Sequence, residues 1–132
     1  MPLLHEDITK AIIDSFFTVY DELGFGYREY VYVRALEREL IARGHKVERE
    51  VWVMIYYKGE PLARERMDMR VDGKVLVENK SQAVLPADAT TQLFGYLCAT
   101  THEVGLVLHY GRKPRFYRVV CENHLKRHPP RR

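Results

Sequence analysis

Asp68 and the run Glu78-Asn79-Lys80 are the residues best placed to do chemistry, because a tight turn brings them together. Glu65, Met67, Met69 and Val71 alternate with Arg64, Arg66, Asp68 and Arg70, the pattern of a strand with one apolar and one charged side. Asp72-Gly73 turns the chain, and Lys74 to Ser81 forms a second strand with Val75 and Val77 facing one way and Leu76, Glu78 and Lys80 the other. A two-residue loop would pair Val71 with Lys74, apolar side against charged side. A three-residue connection, or a Gly-containing bulge, pairs Val71 with Val75 and Met69 with Val77 and makes one continuous apolar face. On the other face Arg70 then meets Leu76, Asp68 meets Glu78 and Arg66 meets Lys80, so two carboxylates and an ammonium share one patch of sheet.

Directly opposed carboxylates repel by about 0.2–1 kcal/mol when exposed and by more when desolvated. Two arrangements balance them. Arg66 and Lys80 can form diagonal salt bridges on an exposed face, which contribute little stability. Alternatively a hard divalent cation binds there, since Mg²⁺ is commonly held by one or two carboxylates while water and a substrate phosphate complete its shell. Arg64, Arg66 and Arg70 share the side of Asp68 and read either as a solvated, charge-alternating strand or as contacts to nucleic-acid phosphates.

The remaining pattern supplies the elements that must position this patch. Ile8, Ala11, Ile12, Phe16, Val19, Tyr20 and Leu23 recur at helical spacing and predict a helix stopped by Gly24. Val31, Tyr32, Ala35, Leu36 and Leu40 predict a second one that ends at Gly44. Val51 to Tyr57 is apolar on both faces, which places it as a strand inside the sheet, ending at Lys58-Gly59. Pro86 suits a first helical position, and Ala89, Leu93, Tyr96, Leu97 and Thr100 predict a third helix over residues 86–101. Val104 to Tyr110 and Phe116 to Val120 close the set. The order ααβββαββ predicts an α/β domain with a mixed central β-sheet flanked by helices.

The chain has 132 residues and a mass of 15.6 kDa, which suits one domain over residues 1–120 followed by a basic tail, expected to fray, over 121–132. That tail carries four Lys/Arg against one Asp/Glu, which equals the whole net excess of +3, so overall charge says little about partners. The longest apolar run, Val51 to Tyr57, is too short to cross a bilayer, and no secretory leader is visible, so no membrane role and a cytoplasmic location are expected. Cys98 and Cys121 are too few and too far apart in sequence for a CxxC or zinc framework and are expected as reduced thiols. No GxxxxGKS, GxGxxG or GxSxG is present, which removes the sequence case for a nucleoside triphosphatase, a dinucleotide enzyme or a serine hydrolase.

Asp68 followed by Glu78-Asn79-Lys80 resembles the D…(D/E)xK signature of the PD-(D/E)XK nuclease superfamily. Gly26-Tyr27-Arg28-Glu29-Tyr30-Val31-Tyr32 fits GxxExxY, the motif that names a bacterial and archaeal family placed within it. Ala35, Leu36, Glu39 and Leu40 continue the likeness, Gln92-Leu93-Phe94-Gly95-Tyr96-Leu97 resembles that family's QLxxYL helix, and Gly105 to Leu108 its next strand, so the resemblance spans residues 8–120. It implies a restriction-endonuclease-like fold with Asp68, Glu78 and Glu29 in the shell of Mg²⁺ or Mn²⁺, Lys80 beside the attacking water and Gln92 in support. On its own chemistry Glu29 is best explained as a carboxylate that complements the start of the second helix.

The implied function is metal-dependent hydrolysis of phosphodiester bonds, of DNA rather than RNA, by a homodimer or with a protein partner. The rival is a non-catalytic nucleic-acid-binding or protein-interaction module that retains the nuclease scaffold. Asn79 stands where the family usually has an apolar residue and His109 where relatives often have Asn.

Overall fold

The computed structural model describes residues 3–127. Five strands form one sheet in sequence order: β1 (Val47–Tyr57), β2 (Glu60–Val71), β3 (Val75–Lys80), β4 (Val104–Tyr110) and β5 (Pro114–Val120). Neighbours run antiparallel except β3 and β4, which are parallel and therefore need a crossover; α3 (Ala89–Cys98) provides it. Helices α1 (Glu6–Leu23) and α2 (Glu29–Ala42) cover one face of the sheet and α3 the other, the expected mixed sheet between helical layers.

The helices form where apolar side chains recur and stop where the backbone cannot continue. The stripe Ile12, Phe16 and Val19 of α1 is buried, and the helix ends at Gly24, whose φ of 70° favours glycine and whose N–H bonds to the Tyr20 carbonyl. Tyr32, Val33, Leu36 and Leu40 of α2 join that stripe against Met69, Val71, Val75 and Val77. On the opposite face Leu93 and Leu97 of α3 pack on Leu76 and Val107. Gly105 allows this approach, since a Cβ there would lie 2.8 Å from Leu93 Cδ2.

The register of β2 and β3 is the one that keeps the apolar face intact. Val71 pairs with Val75, Arg70 with Leu76 and Met69 with Val77 around the connection Asp72-Gly73-Lys74, in which Asp72 and Gly73 have φ of 52° and 69°. The ladder stops there, so Arg66 and Lys80 are not paired in it.

Three expectations are corrected. β1 is an edge strand, not an interior one: its aromatic side chains Trp52, Tyr56 and Tyr57 lie exposed on a β1–β2 arm, and an apolar run cannot distinguish an aromatic outer surface from a core. Residues 86–88 precede α3 in a turn closed by the Ala89 N–H on the Pro86 carbonyl, so the helix is shorter than residues 86–101. The sides of β2 do not alternate uniformly, because Met67 packs with the α3 cluster while Met69 packs with the α1/α2 cluster. Of the expected basic tail, residues 121–126 hydrogen-bond to the α3–β4 connection, with the Asn123 N–H on Glu103 Oε2 and Lys126 Nζ on the Thr100 and His102 carbonyls. The last residues of the basic tail, 128–132, lie outside the described residues.

Candidate active site

Where the β2–β3 ladder ends, two acidic side chains take over its hydrogen bonding. The Asp68 N–H donates to Glu78 Oε1 at 2.8 Å, and the Asn79 N–H donates to Asp68 Oδ2 at 2.7 Å. Each carboxylate thus satisfies an amide of the opposing strand that would otherwise be orphaned. This crossed pair coincides with the change of face in β2. Glu50 lies between the pairs Arg49–Met69 and Val51–Met67, opposite Asp68, and has φ of 57°. A residue in the left-handed region reverses the local alternation, which carries Val51 and Val53 with Met67 to the α3 side.

Lys80 Nζ lies 3.9 Å from Glu78 Oε2. Burial pushes the Glu78 carboxyl up to about 7, with the neighbouring Asp68 and, more weakly, Glu29 adding to the rise while the Asp68 N–H and Lys80 oppose it. Asp68 is raised by burial against the pull of its Asn79 hydrogen bonds, Lys80 and Arg49. Glu29 opens α2 and is itself raised, by burial first and then by Asp68. Three carboxylates and one ammonium therefore interact at one end of the sheet. Among the described residues no three His, Cys, Asp or Glu side chains stand close enough to cage a metal ion, so Glu29 shares the field of the pair without closing a three-ligand cage.

The sequence of this chain from residue 6 to residue 119 matches the model of the PD-(D/E)XK nuclease superfamily. The chain belongs to that superfamily. A search of curated proteins finds no significant match. Among solved structures, the crystal structure of SSO0001 is similar in fold, with a TM-score of 0.53 at 16% identity over 71% of this chain. This chain spans half of that one.

Members of the superfamily generally use divalent metals, and the donor set here fits one. Asp68 Oδ1 and Glu78 Oε2 accept no hydrogen bond from the described residues, whereas the other oxygen of each carboxylate is committed to a strand amide. Two acceptor-only oxygens held on rigid strands suit a hard cation whose remaining positions go to water and phosphate.

The other residues singled out by sequence fall in different places. Gln92 lies exposed on α3 and donates to Asp88 Oδ2 at 2.9 Å. One turn on, Tyr96 senses the site instead: its hydroxyl is raised by burial and then by the charges of Glu65, Glu78 and Asp88. Arg70 is bound through Nε and Nη2 to both carboxylate oxygens of Glu48, with Nη1 3.3 Å from His102 Nε2. Arg64 and Arg66 instead lie over Trp52, at 4.3 and 5.9 Å from its ring centroid.

Sequence reasoning left Asn79 and His109 without roles, and the fold supplies them. Asn79 is fully buried on the α1/α2 face, where its Oδ1 accepts from the Tyr110 hydroxyl at 2.8 Å and its Nδ2 lies 3.5 Å from Asp68 Oδ2. Tyr110 stacks on Tyr32 with centroids 4.3 Å apart, and the Tyr32 hydroxyl donates to the Gly24 carbonyl and accepts from the Tyr27 N–H. A continuous buried path therefore joins Asp68 to the loop that delivers Glu29. The signal for Asn79 was its polarity at an interior strand position, which demands a partner. His109 ties the segment after Lys80 to the sheet through Nε2 at 2.7 Å from the Gln82 carbonyl. Arg49, bonded to Glu37 at 3.0 Å, adds positive charge near Asp68 and carried no such signal.

Proposed function

We propose that the chain is a metal-dependent nuclease that hydrolyses phosphodiester bonds, of DNA, and that it belongs to the GxxExxY family of the superfamily. The observation that carries this reading is the crossed Asp68–Glu78 pair, which leaves one oxygen of each carboxylate unbonded beside Lys80. Asp68 and Glu78 would hold Mg²⁺ or Mn²⁺, with Glu29 adding negative charge from α2. When bound, such an ion lowers the pKa of its water and neutralises charge on the phosphate.

The rest of the chemistry falls to side chains of the chain itself. Lys80 orients the attacking water by hydrogen bonding and offsets the negative charge that develops on the phosphoryl oxygens. Asn79 fixes the rotamer of Asp68, and Tyr110 fixes Asn79. Arg64 and Arg66 bind flanking phosphates; Arg70, already neutralised by Glu48, is less suited to do so. A domain of this size has little surface left for reading bases, which favours pairing with a second copy or with a partner that supplies specificity.

The test follows cleavage of a labelled DNA oligonucleotide together with thermal stability during Mn²⁺ or Mg²⁺ titration. Cleavage is expected to vanish with chelator and in Asp68→Ala, Glu78→Ala and Lys80→Ala. Metal-linked stabilisation should persist in Lys80→Ala and disappear in the two carboxylate variants. DNA binding that ignores chelator and yields no products would establish the non-catalytic module instead.

A further inference from the structure

Trp52 is the only tryptophan of the chain, and 53% of its surface is exposed on the β1–β2 arm. An indole this open is normally packed or covered, because it is the largest apolar side chain a protein can hide. Here it is flanked by cations. Trp52 pairs with Arg66 across the arm and Met54 with Arg64, and both guanidinium groups lie over the indole. Nearer the tip, exposed Tyr57 has Lys58 Nζ 5.4 Å from its ring centroid.

The position of this cluster follows from the face change at Asp68. Met67 points to the α3 side, so Arg66 and Arg64 lie on the opposite side of the arm, the side of α2 and Glu29. They are two and four residues along β2 from Asp68, roughly 7 and 14 Å at the rise of a strand. Glu50 is 3.9 Å from Arg66 across an exposed pair, and Arg64 has no ion pair among the described residues. The surface along β2 from Asp68 is thus a half-exposed indole overlain by incompletely neutralised guanidinium planes, on both of which a base can stack.

We propose that the Trp52–Arg64–Arg66 face binds unpaired nucleotides, so that the substrate carries a single-stranded stretch beside the site of cleavage; this rests on the nuclease reading above. Phosphates satisfy the arginines, as an acidic protein surface also would, but only nucleic acid adds planar bases to stack on the indole. In a duplex those faces are consumed by neighbouring bases, so a stacking plane selects strands whose bases are free. A second copy docked about a twofold axis would set Arg64 and Arg66 against their own counterparts, which disfavours self-association through this face.

The single tryptophan makes the test direct. The full chain, kept in chelator so that no cleavage occurs, is titrated with oligodeoxythymidylate and, separately, with that strand annealed to oligodeoxyadenylate, while Trp52 emission is followed. The single strand should quench the emission saturably and the duplex should bind more weakly with little quenching. Trp52→Ala should weaken single-strand binding, measured by anisotropy of a labelled oligonucleotide, by roughly 5- to 150-fold, the range expected for loss of one stacked base. Trp52→Phe should retain much of the affinity, which separates stacking from a folding defect. Arg64→Ala should reduce the salt slope of binding by about one.

Equal quenching by duplex and single strand, or unchanged single-strand affinity in Trp52→Ala, would overturn the proposal. So would a protein-concentration-dependent emission shift without nucleic acid, accompanied by dimerisation in sedimentation, because a second copy would then cover the face. The two readings fail separately. Metal-dependent cleavage of duplex without quenching leaves the nuclease and removes this surface; quenching without cleavage under any metal does the reverse.

Discussion

Strand β2 has two charge-bearing halves in opposite environments. Residues 60–66 are exposed throughout, whereas Met67, Met69 and Val71 are buried and Asp68 and Arg70 are partly so. Both halves carry charged residues, Glu60, Arg64, Glu65 and Arg66 in the first and Asp68 and Arg70 in the second, and both pair with β1. The difference is what lies on the third side. The C-terminal half has β3 as a second neighbour and helices on its faces, so its charges must find partners: Arg70 takes Glu48, and Asp68 takes the Asn79 amide. The N-terminal half has no such cover, and its arginines lean on Trp52. Tertiary cover thus decides whether the charges of a strand become a buried, coupled site or an open surface. Asp68 sits at the junction, held by one half and accessible from the other.

The largest expected effect comes from removing the charge at that junction without changing its shape. Glu78→Gln keeps an oxygen able to accept from the Asp68 N–H, so the fold should persist, while cleavage should fall by about a thousandfold or more because the donor set is broken. The same variant should be more stable than the wild type above neutral pH in chelator, since it removes one of two mutually repelling buried carboxylates. A variant that cleaved normally would remove Glu78 from the chemistry. In the core, Leu76→Ala should cost about 2–5 kcal/mol in chemical denaturation, because Leu76 is fully buried under α3.

Tyr110→Phe probes the link between site and core more gently. It strips the hydroxyl that donates to Asn79 Oδ1 and leaves a buried acceptor unsatisfied, a loss of about 1–3 kcal/mol. It should also raise the Mn²⁺ concentration needed for half-maximal stabilisation, because Asn79 then holds Asp68 less firmly. Unchanged metal dependence together with lowered stability would make the Asn79–Tyr110 bond purely structural.

This link shows what the sequence made legible and what it did not. The Asp72-Gly73 turn and the apolar face of Met69, Val71, Val75 and Val77 were enough to place Asp68 beside Glu78, because register follows from period two once one face must be buried. The stopping point of the ladder was not legible, since it depends on a left-handed Glu50 in another strand. That residue sends Met67 to the wrong side for simple alternation, and Arg66 and Lys80 are not paired in the ladder. The edge position of β1 is hidden for a related reason: an apolar run does not imply burial, since Trp52 and Tyr57 are aromatics that an exposed arm keeps. Glu29 could not be brought to the site by spacing alone, because its approach depends on how Tyr32 anchors the preceding loop.

The pH dependence of stability sharpens the contrast further. The folded Glu78 carboxyl titrates near 7, above its ordinary value of 4.5, because it is buried beside Asp68. Between those values the folded chain holds a proton that the unfolded chain has released, so this group contributes stability that is full at the acid end and is lost as pH rises through about 7. His102 acts in the opposite sense: burial, Arg70 and Lys126 lower it from 6.5 to about 4, so folding excludes a proton and stability falls with acid across that window. Comparing wild type with Glu78→Gln cancels the histidine. The stability advantage of the variant should shrink steadily as pH falls from above 7 towards 4.5. A gap independent of pH would mean that Glu78 titrates normally and that the end of the ladder is open to water.

The smallest effect is expected on the arm. Leu62 is 66% exposed, close to the β1–β2 turn, with no helix over it. Leu62→Ala removes more methyl groups than many core substitutions do, yet those groups are already in water when the chain is folded, so stability should move by less than about 0.5 kcal/mol. Set beside Leu76→Ala, this makes a matched pair: the same chemical deletion on two neighbouring parts of one sheet, with expected costs that differ several-fold. A loss at Leu62 comparable to that at Leu76 would mean that the arm is covered in solution. Because Leu62 lies beyond the Trp52–Arg64–Arg66 face, that result would also point to a partner on the arm larger than a few nucleotides.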